Sequence, residues 1–148
     1  MIAVDTNVLV YAHRAESPFH AKARDVLREL AESAQAWAIP WPCLHELFAI
    51  VTHARIYQPP TPLERAIDQI EAWLESPSLV LLTENEGHWP ALRTLLETAH
   101  VQGPRVHDAR IAALCLSHGV KELWSADRDF GRFAPLRVVN PLAGPAAR

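Results

Sequence analysis

The chain has 148 residues, a formal net charge of −3, 49% hydrophobic and 21% charged residues. That length fits one domain around one core, and the composition is that of a folded chain, not a disordered one. The charge balance excludes a broadly basic surface, so a polyanionic ligand would need a local basic patch or a bound cation.

Ile2 to Val4 is a short apolar run, which predicts a buried strand ending at Asp5. Residues 6–13 suit a short helix. Pro18 opens a longer helix reaching Ala34, with Val26, Leu27, Leu30 and Ala34 on one face. Trp37 to Ile39 reads as a second strand, and a helix from Pro42 to Ala54 follows, striped by Leu44, Leu47, Phe48 and Val51. Thr61 suits an N-cap with Pro62 at the first helical position, and that helix runs to Leu74. Leu79 to Leu82 is a third strand. Helices from Glu86 to His100 and from Val106 to His118 follow, separated by Gly103-Pro104, with Gly119 as the closing C-cap. Glu122 to Trp124 and Leu136 to Val139 are the last two strands. Residues 1–140 are expected to form the single domain, with 141–148 a flexible tail rich in Ala, Gly and Pro.

Short apolar strands alternating with helices argue for an α/β fold with a mostly parallel sheet. Cys43 and Cys115 sit among apolar residues and form no CxxC, which reads as two buried thiols in a reducing cytoplasm. No secretory leader is expected from Ile2-Ala3-Val4-Asp5, and no run reaches the roughly 18 apolar residues of a membrane helix. Core packing accounts for Trp37, Trp73, Trp89 and Trp124, while Trp41 is the tryptophan that base stacking would also suit.

Four acidic residues stand out by position. Asp5 ends the first strand, Glu46 lies early in the helix after the second, Asp108 opens the helix after Gly103-Pro104, and Asp127 follows the fourth strand. In an open parallel sheet, strand carboxyl ends and the adjoining helix starts share one rim, where ligands bind. Each residue also has a local reading. Asp5 would cap the next helix, Asp108 would complement a helix dipole, and Asp127 and Asp129 would be turn residues. Against this, Asp108 has Ile111, Ala112 and Cys115 as helical neighbours, and Glu46 has Cys43 and Ile50, so both face apolar surroundings. Converging carboxylates repel by roughly 4 kcal/mol per pair at about 4 Å and an effective dielectric near 20. A cation must offset this, and hard oxygen ligands without a Cys or His cluster select Mg²⁺ or Mn²⁺ over zinc.

The opening Ile2-Ala3-Val4-Asp5-Thr6-Asn7-Val8-Leu9 resembles the first motif of PIN domains. His45-Glu46-Leu47 fits the middle acidic motif. His107-Asp108-Ala109-Arg110-Ile111-Ala112-Ala113 and Trp124-Ser125-Ala126-Asp127-Arg128-Asp129-Phe130 resemble the later ones, in the same order. The resemblance spans Ile2 to Val139 and is to the VapC-type toxin branch. It implies a three-layer PIN fold, a Mg²⁺-dependent endoribonuclease (Mn²⁺ a possible substitute), and a cognate antitoxin that blocks the site. Homodimerisation is a further expectation of the family. Asp5 and Asp108 would be the direct metal ligands, Glu46 and Asp127 would complete the cluster, and Asn7 and Ser125 would orient ligands, with Asp129 in support. Ser125 stands where the family usually has Thr, which keeps the hydroxyl.

Basic residues near these motifs have two readings each. His13, Arg14, Arg110 and Arg128 would meet RNA phosphates or be ordinary surface charges. His107 would be a general base or a solvated helix-terminal side chain. The segment Pro42 to Tyr57 and the helix from Leu63 to Leu74 would make an apolar groove for a partner helix or simply pack in the core. His45-Glu46 lacks the second His of a zinc protease, because position 49 is Ala49. A receiver domain would need an acidic pair at the first strand end, and an Asp-nucleophile phosphatase an Asp at position 7, which is Asn7. A PIN-like domain that only binds RNA or a partner is the alternative from another class.

Overall fold

Among the described residues five short strands lie side by side, all parallel: β1 (Ile2–Val4), β2 (Trp37–Pro40), β3 (Leu79–Leu82), β4 (Glu122–Trp124) and β5 (Arg137–Val139). Their order is β3-β2-β1-β4-β5 in this computed structural model, which describes residues 1–144. The apolar runs read from the sequence are these strands. Ala3, Val4, Trp37, Ala38, Ile39 and Leu123 are all fully buried, as a sheet covered on both faces requires.

Among the described residues six α-helices cover it: α1 (Thr6–His13), α2 (His20–Glu32), α3 (Trp41–Val51), α4 (Leu63–Leu74), α5 (His88–Thr98) and α6 (Val106–Ser117). From β1 the chain steps outward to β2 and β3, then jumps back across β1 to β4 and β5. Right-handed crossovers therefore put α1 to α4 on one face of the sheet and α5 with α6 on the other. The packing of α1 on α2, α1 on α3, and α5 on α6 follows this division. The result is a three-layer α/β fold with its switch point between β1 and β4.

Several boundaries differ from the sequence reading, each for a local reason. Helix α2 starts at His20, not Pro18, with Ser17 Oγ taking the Phe19 amide in a turn. Helix α5 starts at His88, not Glu86, because the Asn85 side chain accepts from the Gly87 amide and holds a turn there. Thr61 is not an N-cap. Its hydroxyl is buried between His13 Nε2 (2.9 Å) and Arg14 Nη1 (3.1 Å), and Pro62 takes the cap position. Gly119 closes α6 as expected, at φ +74°, a conformation that favours glycine.

The tail expected from Pro141 is docked in its first part. Leu142 is 7% exposed and joins the core, its amide bonded to Asn140 Oδ1, while Lys22 Nζ donates to the Ala143 carbonyl. The rest of that tail, 145–148, lies outside the described residues. Both cysteines are buried and unpaired. No helix among the described residues is long and apolar enough to cross a membrane.

Leu142→Ala is expected to destabilise the fold by about 2 kcal/mol, the usual cost of emptying a buried leucine site. Urea denaturation reads this directly. An unchanged midpoint would show that residues after β5 are not held by the core.

Candidate active site

The parallel register builds the centre of the site. Val4 pairs with Trp124, so the next residues, Asp5 and Ser125, emerge together at the carboxyl ends of β1 and β4. Ser125 Oγ donates to Asp5 Oδ2 at 2.8 Å and accepts from Asn7 Nδ2 (3.2 Å) and the Asp127 amide (3.0 Å). Asn7 Nδ2 also reaches Asp5 Oδ2 at 3.4 Å, and Asn7 Oδ1 accepts from the Ala126 amide at 3.1 Å. The other Asp5 oxygen, Oδ1, faces Cys43 Sγ at 3.6 Å. Burial and the neighbouring Asp5 push the Cys43 thiol well up, so it stays protonated and able to donate. Asp5 makes no side-chain cap to α1, and its local reading does not hold.

Glu46 comes from the second turn of α3, and Asp108 from the first turn of α6 on the opposite side of the sheet. Thr6 Oγ1 donates to Glu46 Oε2 at 3.1 Å, tying α1 to α3. Asp127 follows β4, where its Oδ1 accepts from the Asp129 amide at 2.9 Å and opens a 3-10 turn, Arg128–Arg132. Asp5, Glu46, Asp108 and Asp127 all line one cleft of about 560 Å³, together with Thr6, Asn7, His45, His107 and Arg110. The four expected carboxylates are therefore brought together, two from loops at strand ends and two from helix starts.

The electrostatics of the cleft favour a cation. Burial first, then the charge of Glu46, raises Asp5 from its ordinary 3.8 to about 6, although Ser125, Thr6 and Cys43 all pull it down. Asp108 is raised as well, by burial and then by Asp127, Glu46 and Asp129. Among the described residues no three acidic, His or Cys side chains already stand close enough to share one ion. The four carboxylates nonetheless offer hard oxygens to one open cleft. That suits a divalent ion which keeps part of its water shell, as Mg²⁺ does.

Other expected residues fall elsewhere. Asp129 and Arg128 are exposed beyond the cleft lining, and Asp129 acts on it through its backbone amide, which holds Asp127, and through its charge on Asp108. Arg14, expected as an RNA contact or a surface charge, is turned largely inward and lies outside the cleft lining. It bonds Glu16, Thr61 and the Pro59 carbonyl, and lies 4.2 Å over the Tyr57 ring at the far end of α1. Of the suggested apolar groove, Leu47 and Val51 are in the core, while Ile56, Leu63, Ile67 and Leu74 are exposed. The sequence reading does not single out Thr6 and Cys43. Thr6 sits inside the first motif between Asp5 and Asn7, and that position is its only signal. Nothing in the sequence marks Cys43.

Residues 2–136 match the PIN domain family. Ribonuclease VapC43 of Mycobacterium tuberculosis is 38% identical over 144 residues, covering 97% of each chain. Ribonuclease VapC48 of the same organism is 32% identical over 140 residues, covering 95% of this chain and 97% of its own. The chain belongs to the PIN-domain family, in its VapC-type branch. The crystal structure of VapBC2 from Rickettsia felis, bound to a promoter DNA fragment, has the same PIN fold, with a TM-score of 0.66 and 21% identity over 95% of this chain and 98% of that one.

A strained carboxylate in this PIN domain has a thermodynamic signature. The folded Asp5 holds its proton more tightly than the unfolded chain does, so its contribution favours folding at low pH and is lost as pH rises through about 6. Raising one carboxyl that far destabilises the ionised fold by about 3 kcal/mol. In chelator, Asp5→Asn is therefore expected to be more stable than wild type at pH 7, with the difference fading toward pH 4. Denaturation midpoints of both proteins across that range measure it. A wild type as stable as Asp5→Asn at both ends would show that the carboxyl is not strained.

Proposed function

We propose that this chain is the ribonuclease of a toxin–antitoxin pair and hydrolyses RNA phosphodiester bonds with water as the nucleophile. The observation that carries the reading is the convergence of Asp5, Glu46, Asp108 and Asp127 on one cleft at the switch point of the sheet. The names of its VapC relatives agree with it. Asp5 and Asp108 would hold a Mg²⁺ or Mn²⁺ ion directly, with Glu46 and Asp127 completing its surroundings. Such an ion, when bound, lowers the pKa of water and offsets the charge of the scissile phosphate.

The chain's own groups then have distinct tasks. Ser125 and Asn7 fix the rotamer of Asp5, and Thr6 fixes Glu46. Orienting partners of this kind are worth about 10- to 100-fold in metal affinity or activity. His107 and Arg110 are carried on α6 beside Asp108 and line the same cleft, where they meet the RNA backbone. The partner is an antitoxin that covers the cleft, the chain pairs with a second copy, and the site of action is the cytoplasm. A PIN-like domain that binds RNA or a partner without cutting is the competing outcome.

The test is cleavage of a mixed panel of labelled RNAs with Mg²⁺, Mn²⁺ or chelator. Wild type is expected to cut with either ion, Asp5→Asn and Asp108→Asn to lose cutting, and Ser125→Ala to lose about 10- to 100-fold. Cutting that survives chelator and both carboxylate substitutions would sink the metal mechanism. Binding of RNA or antitoxin without cutting of any RNA would favour the binding-only reading.

A further inference from the structure

The acidic cleft does not end at the carboxylates. A second hollow of about 220 Å³ adjoins it, walled by Trp41, Pro42, Leu82 and Leu114 and edged by Thr83, Glu84 and Arg110. Pro42 and Arg110 line both hollows, so the two are adjacent. The sheet explains the placement. Trp41 follows β2 and Thr83 follows β3, so the second hollow sits on the same carboxyl rim as Asp5, over the neighbouring strands. Two strand spacings separate β1 from β3, about 10 Å. That is the reach of a nucleotide or two from the carboxylates.

We propose that this hollow is a nucleobase subsite, in which Trp41 stacks on a base of single-stranded RNA flanking the scissile bond. The inference rests on the ribonuclease reading above and adds where the substrate is gripped. Three observations carry it. The walls are apolar and include a partly exposed indole, whereas Trp37, in the adjoining strand, is fully buried with its Nε1 bonded to Ser76. Trp41 and His45 stand one helical turn apart, ring centroids 6.0 Å and planes 30° apart, so an aromatic edge runs from the base hollow into the acidic cleft. The polar edge supplies donors and acceptors suited to a base and its phosphate. Arg110 lies between the hollows, paired to Glu84 at 3.3 Å through an ion pair in which both partners are substantially exposed. Such a pair is weakly held, so its guanidinium can turn to a phosphate at little cost. A base in the hollow therefore sets which phosphate reaches the carboxylates.

The test uses a short 5′-labelled RNA that the wild type cuts at one bond, and a set of the same RNA with an abasic nucleotide at each position in turn. On wild type, one abasic position beside the cut is expected to lower kcat/KM by about 5- to 100-fold, the range of one base–aromatic stack. Trp41→Ala should show a similar loss on the intact RNA and no further loss at that abasic position. Trp41→Phe should recover most of it, and Trp89→Ala, at a 60% exposed indole on α5 that lines neither hollow, should behave as wild type. Cutting of every abasic RNA at the full rate would overturn the subsite while leaving the nuclease intact, and it needs no variant to fold. Additive losses in Trp41→Ala at the abasic position would overturn the assignment to Trp41. Failure of the wild type to cut any RNA would overturn the ribonuclease reading, and the subsite with it.

Discussion

Asp5 is a carboxylate taken almost out of water, 6% exposed, at the end of the central strand. An ionised group there is tolerated only with partners, and each partner comes from a different part of the chain. Ser125 is delivered by the register of β4 against β1, Asn7 by the first turn of α1, and Cys43 by α3. Hydrogen bonds from Ser125, the Thr6 backbone and Cys43 still leave the carboxyl at about 6, so they do not fully offset burial and the nearby Glu46. The remaining deficit is positive charge. Asp108 and Glu46, placed inward from either side of the sheet, add negative charge to the same cleft and deepen that requirement.

The topology turns this local demand into a cleft. Helices α3 and α6 belong to opposite faces of the sheet, yet both begin at its carboxyl rim, so Glu46 and Asp108 approach Asp5 from two sides. A sheet wound in one direction only would put both helices on one face. The jump from β3 back to β4 opens the crevice, and the short strands keep its floor close to the rim. Thr6 and Ser125 then act as struts, each a hydroxyl joining two elements through one carboxylate. Small side chains suffice because the register already brings the backbones together.

The sequence shows the strands and the four carboxylates because their signals are local. Apolar runs bounded by turns give β1 to β5, and acidic residues on otherwise apolar helix faces give Glu46 and Asp108. What it hides depends on partners distant along the chain. Arg14 reads as a surface charge until Thr61, Pro59 and Tyr57 are seen around it, after the loop following α3 folds back on α1. Thr61 has the pattern of a helix cap, yet two side chains from α1 and its C-cap claim its hydroxyl first. Leu142 lies in a stretch of Ala, Gly and Pro whose composition suggests a tail, and one buried side chain overrides that composition. Cys43 offers no signal at all, since a buried thiol and a thiol against a carboxylate look alike in sequence.

The charge balance constrains how RNA would be held. With a net charge of −3 and a cleft lined by four carboxylates, long-range attraction to phosphate is weak until a cation is bound. Of Arg14, Arg110 and Arg128, Arg110 alone lines the cleft, and Glu84 already shares its charge. Affinity must then come from contacts that do not depend on net charge. Stacking and apolar enclosure of a base meet that condition, and they act at a fixed distance from the carboxylates. A nuclease built this way would gain position more than attraction, and its selectivity would lie in which bases flank the cut, and less in how strongly it attracts RNA as a polyanion.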